Sequence, residues 1–207
     1  MVNSAGSCPL CGCEKRRPSW MGSIDYDGRA YVYEECLTCR SMYCDPMPDS
    51  DVLTRMYDTK YVGLHPDNGA ISDPKEPLRV VRWLEQNGPG VFLDYGCGAG
   101  ALLKSAASVG WEAIGLEFNP DAVRWTAERT GATVYARASL NSIPDASVDA
   151  IHLGDVIEHL TRPAEEIIAI LRLLKPGGTL LAQGPLEASP NLFTLCLSAS
   201  KKLRRNK

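Results

Sequence analysis

From Pro77 onward the apolar positions switch repeatedly between two periods. "LRVVRWLEQNG" sets its apolar residues at helical spacing and ends at Gly88, whereas "VFLDYG" is a short continuous apolar run of buried-strand type. The exchange then recurs. "ALLKSAASVG" predicts a helix closed by Gly110, "WEAIGLE" a strand, "NPDAVRWTAERTG" a helix with Asn119 as cap and Pro120 at its first position, and "ATVYA" a strand. "SVDAIHL" predicts another strand, "TRPAEEIIAILRLLKPGG" a helix stopped by Pro176 and Gly177, and "TLLAQG" the last clear strand. Strands alternating with helices in this way predict an α/β domain with a mainly parallel sheet covered on both faces.

The first 76 residues follow a different pattern. "SIDYDG" and "RAYVYEE" are β-prone runs joined at "DYDG", which predicts a hairpin. "CDPMPDSD" marks a turn, "SDVLTRMYDTKYV" predicts a short helix capped by Ser50 or Asp51, and "GLHPDNGAISDPKEP" reads as a linker or mobile loop. The organisation expected is a small module over 1–48, a helix and linker over 49–76, and the α/β domain over 77–207. After the last strand, "SPNLFTLCLSASKKL" can form a helix with Ser189 as cap and Pro190 first, and no residues remain for further strands. The sheet is then either short at its C-terminal edge or the chain is a fragment, and an uncovered last strand invites pairing with a partner chain.

Composition changes this picture mainly by exclusion. The 207 residues are 44% hydrophobic and 23% charged, as in ordinary globular proteins. The net charge of −3 includes the tail "KKLRRNK", without which 17 basic groups face 25 acidic ones. Such a body is a poor match for a nucleic-acid backbone. No run of about 18 apolar residues predicts a membrane span, and "MVNSAGSC" has neither basic nor apolar signal regions, so a cytoplasmic location is expected.

Eight cysteines without an export signal argue against a disulfide framework. Cys8 and Cys11 form "CPLC", Cys36 and Cys39 form "CLTC", and the hairpin lies between them. Two such knuckles supply four thiolates able to close a tetrahedron around structural Zn²⁺. The competing reading is a metal-free set of reduced thiols; a redox dithiol needs only one pair. Cys13 and Cys44 stand just outside the pairs as substitute ligands, and Cys97 and Cys196 read as apolar fillers.

The stretch "VFLDYGCGAG" carries the chemistry of the larger domain. Gly96, Gly98 and Gly100 follow a strand and precede a helix, so the loop lies at the carboxyl edge of the sheet, where ligands of such folds bind. Glycines let a ligand approach the backbone beside the free N–H groups of the next helix. Glu117, at the end of the second strand and 21 residues after Gly96, can accept hydrogen bonds from two ribose hydroxyls. The spacing is not Gly-x-Gly-x-x-Gly, and Asp94 would repel a pyrophosphate but pair with an ammonium group.

On these residues the chain resembles class I S-adenosylmethionine-dependent methyltransferases. "FLDYGCGAG" resembles their first motif, "IGLEFNP" their second-strand motif, and "VDAIHLGDVIEHL" with "LRLLKPGGTLL" their fourth and fifth strand regions, over residues 77–190. "CPLCG" and "EECLTCRSMYCDPMPDSDVLTRMYDTKY" are similar to the zinc-ribbon segment ahead of one branch of that family. The resemblance implies a Rossmann-like, doubly wound sheet and the cofactor S-adenosylmethionine. It places the cofactor along Asp94, Tyr95, Gly96, Cys97, Gly98 and Gly100, with Glu117 on the ribose and Phe118 flanking the adenine. Where the family often has an acid after the third strand, Ser139 and Leu140 stand, so backbone groups would meet the adenine there.

The activity implied is methyl transfer to a small-molecule acceptor: a sugar, a lipid-linked compound or a secondary metabolite. Transfer from a sulfonium is an in-line displacement that gains chiefly from alignment. For a hydroxyl acceptor, Asp155, Glu158 and His159 in "GDVIEHL" are candidate bases, with His159 first because its ordinary pKa suits proton removal near neutrality. The alternative for His159 is a structural turn. His65 and His152 are the weaker candidates, the second because a strand histidine is more often a satisfied core residue. The rival function is a cofactor-binding or interaction protein without turnover of its own.

Overall fold

The computed structural model describes residues 6–56 and 77–184; the helix expected after Ser189, His65 and Cys196 lie outside the described residues. The chain divides into two compact units, one holding the cysteine knuckles and the other the parallel sheet. No helix among the described residues is long and apolar enough to cross a membrane.

In the first unit β1 (Arg16–Tyr26) and β2 (Arg29–Cys36) form the predicted antiparallel hairpin. Its two turn residues, Asp27 (φ 54°) and Gly28 (φ 72°), are both left-handed, the conformation whose twist matches that of the strands it joins. A third strand, β3 (Met42–Asp45), pairs antiparallel with β2. The turn expected at "CDPMPDSD" therefore starts inside a strand, since Cys44 and Asp45 belong to β3. Tyr43 is what makes it a strand, because it turns inward against buried Cys8 and Cys36. Ion pairs from Arg16 to Asp45, and from Arg17 and Arg40 to Glu35 (2.7 and 2.8 Å), tie the exposed side together. The following helix α1 (Ser50–Met56) is capped from one position earlier than expected: Asp49 Oδ1 accepts from the Val52 N–H at 2.9 Å.

The remaining elements are α2 (Pro77–Asn87), β4 (Val91–Tyr95), α3 (Ala101–Ser108), β5 (Glu112–Glu117), α4 (Pro120–Thr130), β6 (Thr133–Ala136), β7 (Val148–Gly154), α5 (Pro163–Leu171) and β8 (Leu174–Gln183). The five strands are parallel in the order β6-β5-β4-β7-β8, the α/β fold expected from the alternation. Local signals hold at α4, where Asn119 Oδ1 accepts from the N–H groups of Asp121 and Ala122 (2.9 and 3.2 Å) and Gly131 closes the end. One sheet face carries Phe92 and Ala150 against Val80 and Leu84 of α2 and Leu102 and Ala106 of α3. Trp111 packs beside them and donates its indole N–H to the Leu84 carbonyl at 3.1 Å, so its one polar atom is satisfied inside the core.

The fifth helix is shorter than its periodicity predicts. It stops at Leu171, and "LKPGG" belongs to β8 rather than to the helix end. The Arg172 and Leu173 carbonyls are claimed by the N–H groups of Ala146, Ser147 and Val148, and the Arg172 guanidinium reaches the carbonyls of Leu140 and Ile143. These bonds hold the backbone against the start of β7, where Val148 pairs with Leu174 before the register shifts.

Asp149 locks the entry of the sheet. Its Oδ2 accepts from the Val91 N–H at 2.8 Å and from Lys175 Nζ at 2.7 Å. The Lys175 ammonium first, and then the Val91 N–H, hold its carboxyl below the usual carboxylate range. A lowered folded pKa stabilises above the unfolded value and is lost as pH falls through the folded one. Because the pair is partly solvated, Asp149→Asn should lower the unfolding free energy by only about 1 kcal/mol near neutrality. The difference should shrink below about pH 4; urea midpoints at several pH values check it.

Candidate functional site

The strand order reverses between β4 and β7, and open α/β sheets bind ligands at the carboxyl ends beside such a reversal. Along β4 and β7 the face that is apolar at Phe92 and Ala150 becomes polar at the next same-face positions, Asp94 and His152, which pair across the ladder. A cleft of about 200 Å³ opens there, lined by Asp94, His152, Gly154 and Gln183 from the strands, by the loop after β4, and by Leu102 of α3.

That loop is fixed by its own backbone. The N–H groups of Gly96 and Cys97 both donate to the Leu116 carbonyl (2.7 and 3.1 Å), the Gly98 N–H donates to Glu117 Oε2 (2.9 Å), and Thr126 Oγ1 donates to the Gly98 carbonyl (2.6 Å). Gly96 (φ 82°) has no room for a side chain, since a Cβ would stand 2.8 Å from Val156. Gly98 (φ 48°) differs: a Cβ there would meet nothing within 4 Å, so the position borders open space. Gly100 precedes α3 without any side-chain cap, leaving the first N–H groups of that helix beside the loop.

Glu117 is buried, and its Oε1 also accepts from the N–H groups of Phe118 (2.6 Å) and Asn119 (3.1 Å). One carboxylate thus joins the glycine loop to the start of α4. Phe118 is 46% exposed, with the Tyr95 ring edge-on at 5.9 Å and the Arg137 guanidinium 5.7 Å above its own ring. Tyr95 itself is fully buried, in a strand whose side chains alternate, so it lies opposite Asp94 and beneath Phe118. Cys97 is buried too, and burial pushes its thiol well above the ordinary range, which suits a filler. Ser139 and Leu140 lie on a 3-10 helix (Arg137–Ser142) after β6, the serine half-buried and the leucine buried.

Asp155, Glu158 and His159 are all exposed just past β7, the last two on a single 3-10 turn (Ile157–His159). The histidine that reaches into the cleft is His152, which strand periodicity assigns to the core. It is 7% exposed, and its Nδ1 stands 2.7 Å from Asp94 Oδ1. A carboxylate only accepts, so Nδ1 of the imidazole donates to it. Nε2 is buried without a hydrogen-bond partner among the described residues. The sequence signal for this pair is parity: Asp94 and His152 each stand two residues before a strand-ending glycine, on neighbouring strands.

The second cluster is Cys8, Cys11, Cys36 and Cys39, whose sulfurs all lie within 4.8 Å of one another. Cys8 to Cys39 and Cys11 to Cys36 are each 3.6 Å apart at their sulfurs. A tetrahedral cation with sulfur bonds of about 2.3 Å sets its sulfurs about 3.8 Å apart, so the quartet fits a metal ion. The two knuckles are built alike. Cys8 donates its N–H to the Cys13 carbonyl and accepts from Gly12, and Cys36 donates to Ser41 and accepts from Arg40. Gly12 and Arg40, at matching positions, are both left-handed (φ 72° and 66°). Burial pushes the Cys8 thiol up to about 12, whereas the Cys39 N–H draws Cys36 down to about 6. Cys13 is not in the quartet; its sulfur accepts from Thr38 Oγ1 at 3.0 Å. Cys44 is also outside it.

A sequence model of the family described as "Methyltransferase domain" matches residues 73–205, more than half of the chain. The ubiquinone biosynthesis O-methyltransferase of Methylococcus capsulatus is 30% identical over 120 residues, covering 55% of this chain and 50% of that protein. That of Xanthomonas oryzae pv. oryzae is 31% identical over 121 residues, with the same coverage of 55% and 50%. The chain therefore spans about half the length of the curated relatives it matches. Among solved structures, a SAM dependent methyltransferase from Archaeoglobus fulgidus is 25% identical, with 58% of this chain and 56% of that chain covered and a TM-score of 0.49. By the family match, which takes in the glycine loop, Glu117 and all five parallel strands, the chain belongs to the S-adenosylmethionine-dependent methyltransferase domain family.

Proposed function

We propose that this protein binds S-adenosylmethionine in the cleft above β4 and β7 and transfers its methyl group to a small-molecule acceptor. The observation that carries the reading is the clamped glycine loop, whose Gly98 borders open space and whose N–H is held by Glu117. Three of the roughly four acceptor positions of Glu117 are taken by backbone N–H groups, which leaves one, on Oε2, for a ribose hydroxyl, and exposed Phe118 offers a face to an adenine. The cofactor supplies an electrophilic methyl on a sulfonium. The chain supplies position and a cleft walled by Leu102 and buried backbone.

The acceptor is proposed as a hydroxyl-bearing sugar, lipid-linked compound or secondary metabolite. The support is the name of the relatives, O-methyltransferases of ubiquinone biosynthesis, together with Glu158 and His159 exposed beyond β7, where they can take a proton from an incoming hydroxyl. The cysteine quartet is proposed as a structural Zn²⁺ site. Four thiolates leave no open coordination position, so it shapes the N-terminal sheet and takes no part in chemistry.

The test is calorimetric binding of S-adenosylmethionine, followed by incubation of the labelled cofactor with the protein and a metabolite extract. Binding with label carried into an extract component supports the reading. Absence of binding overturns it, and binding without transfer to any acceptor leaves cofactor binding alone as the function.

A further inference from the structure

A side-chain base serves the acceptor only if it reaches the cleft. Asp155, Glu158 and His159 do not line it; the titratable side chains that do are Asp94, Cys97 and His152. Cys97 is a buried thiol pushed well above the ordinary range. Asp94 Oδ1 holds the Nδ1 side of the His152 ring at 2.7 Å, and Nε2 is left buried without a partner among the described residues. Buried polar atoms are nearly always hydrogen-bonded, so this one marks the place of a ligand group. Its neighbours show where that group sits. Gly154 stands two residues on along β7, on the same face, and pairs with Gln183 of β8. A Cβ at Gly154 would stand 2.5 Å from His152 Cε1, 3.0 Å from Nε2 and 3.5 Å from the Gln183 amide nitrogen. The space over Gly154 is therefore a bare floor between an imidazole nitrogen and an amide, on the β8 side of the sheet and away from Glu117 of β5.

We infer that His152 is the general base for a hydroxyl acceptor seated over Gly154, with Asp94 as its positioning residue. The inference rests on the methyl-transfer reading above, and it moves the proton from the exposed Glu158 and His159 to a group inside the cleft. In the neutral ring Nδ1 donates to Asp94, so Nε2 carries the lone pair. A hydroxyl over Gly154 can donate to Nε2 and accept from the Gln183 amide, which suits an alcohol or a phenol. As its oxygen bonds to the methyl carbon, the carbon–sulfur bond breaks with its electron pair going to sulfur, and the hydroxyl proton passes to Nε2. The imidazolium so formed faces the Asp94 carboxylate and later gives its proton to water. The other walls around it are apolar or neutral: Val80 of α2, Leu102 of α3 and Gln183 of β8. Asp94 meets the ring through one oxygen, so the other remains for the cofactor's ammonium group.

The test uses His152→Gln, whose neutral amide reaches the position of Nε2 but takes up no proton, and the extract component that the wild-type protein labels from the labelled cofactor. Single-turnover transfer to that component should fall about a hundredfold to ten-thousandfold. Calorimetry should find the affinity for S-adenosylhomocysteine changed less than about tenfold. The acidic limb of the wild-type pH–rate profile, set by protonation of the base, should be absent in the variant. A readout on the wild type needs no turnover: nitrogen-15 spectra of the S-adenosylhomocysteine complex in alkaline solution should show His152 protonated at Nδ1 and bare at Nε2. The Nε2–H tautomer overturns the inference. So does a transfer rate kept within about tenfold, or an acidic limb that survives in His152→Gln and disappears in Glu158→Gln or His159→Gln. Transfer and S-adenosylhomocysteine binding lost together would make the ring a support of the cleft and also overturn it. Wild-type protein that binds S-adenosylhomocysteine but labels nothing overturns the inference and leaves cofactor binding standing, whereas protein that does not bind it overturns the reading beneath as well.

Discussion

Cys36→Ser should yield protein that no longer holds one equivalent of zinc and whose three-stranded sheet has lost its fixed structure. The expectation follows from how little else holds that sheet. Its buried apolar side chains are few, chiefly Cys8, Tyr31, Cys36 and Tyr43, and two of those four are the proposed ligands themselves. A module of this size lacks the core to stand without a metal or cross-links. Metal binding contributes on the order of 10 kcal/mol to folding in comparable zinc modules, far more than the exposed ion pairs of Arg16, Arg17 and Arg40 can replace. Cys13→Ser and Cys44→Ser should keep the metal, because neither sulfur belongs to the quartet. Metal analysis of protein purified without chelator, with amide exchange across β1 to β3, gives the readout. Zinc-free protein with fully protected strands would sink the assignment, and loss of metal in the Cys13 variant would show that the quartet is wrongly drawn.

What could be read from the sequence divides along local and non-local lines. The Asp27–Gly28 turn, the Asn119 cap and the glycine loop after β4 are set by residues within a few positions of one another, and the chain forms them as read. β3 was missed because four residues beside two prolines carry no period; its place comes from Tyr43 packing against cysteines far back in the chain. The end of α5 was missed for a related reason. Its helical pattern runs on past Leu171, but the backbone there is claimed by N–H groups of the loop before β7. His152 is the clearest case in the site. Alternation along "SVDAIHL" places it inward, but whether an inward histidine meets core or cleft depends on which strand lies beside it. The neighbour is β4, reached only by the reversal in strand order, so Asp94 and His152 meet across 58 positions of chain. A period read along one strand has no information about that partner.

Glu117→Ala should weaken both S-adenosylhomocysteine and 5′-methylthioadenosine roughly tenfold to a hundredfold, since a lost hydrogen bond to a charged group is of that size in affinity. Both ligands should suffer alike, because both carry the ribose proposed to sit on this carboxylate, although only S-adenosylhomocysteine has the amino-acid end of the cofactor. Part of the effect comes through the loop. Without Glu117 the N–H groups of Gly98, Phe118 and Asn119 lose their acceptor at once, so the backbone that cradles the ligand is released at three points. Gly98→Val separates that contribution from direct occupancy. Its Cβ points into open space rather than against the protein, so the β-branched side chain stands where the ligand lies, while the left-handed backbone (φ 48°) adds strain of about 1–2 kcal/mol. Binding of either ligand should then be undetectable in a protein that still unfolds cooperatively. Unchanged affinity in both variants would remove the ribose from Glu117 and the ligand from the glycine loop. A loss confined to the ligand with the amino-acid end would mean that the cofactor lies the other way round in the cleft.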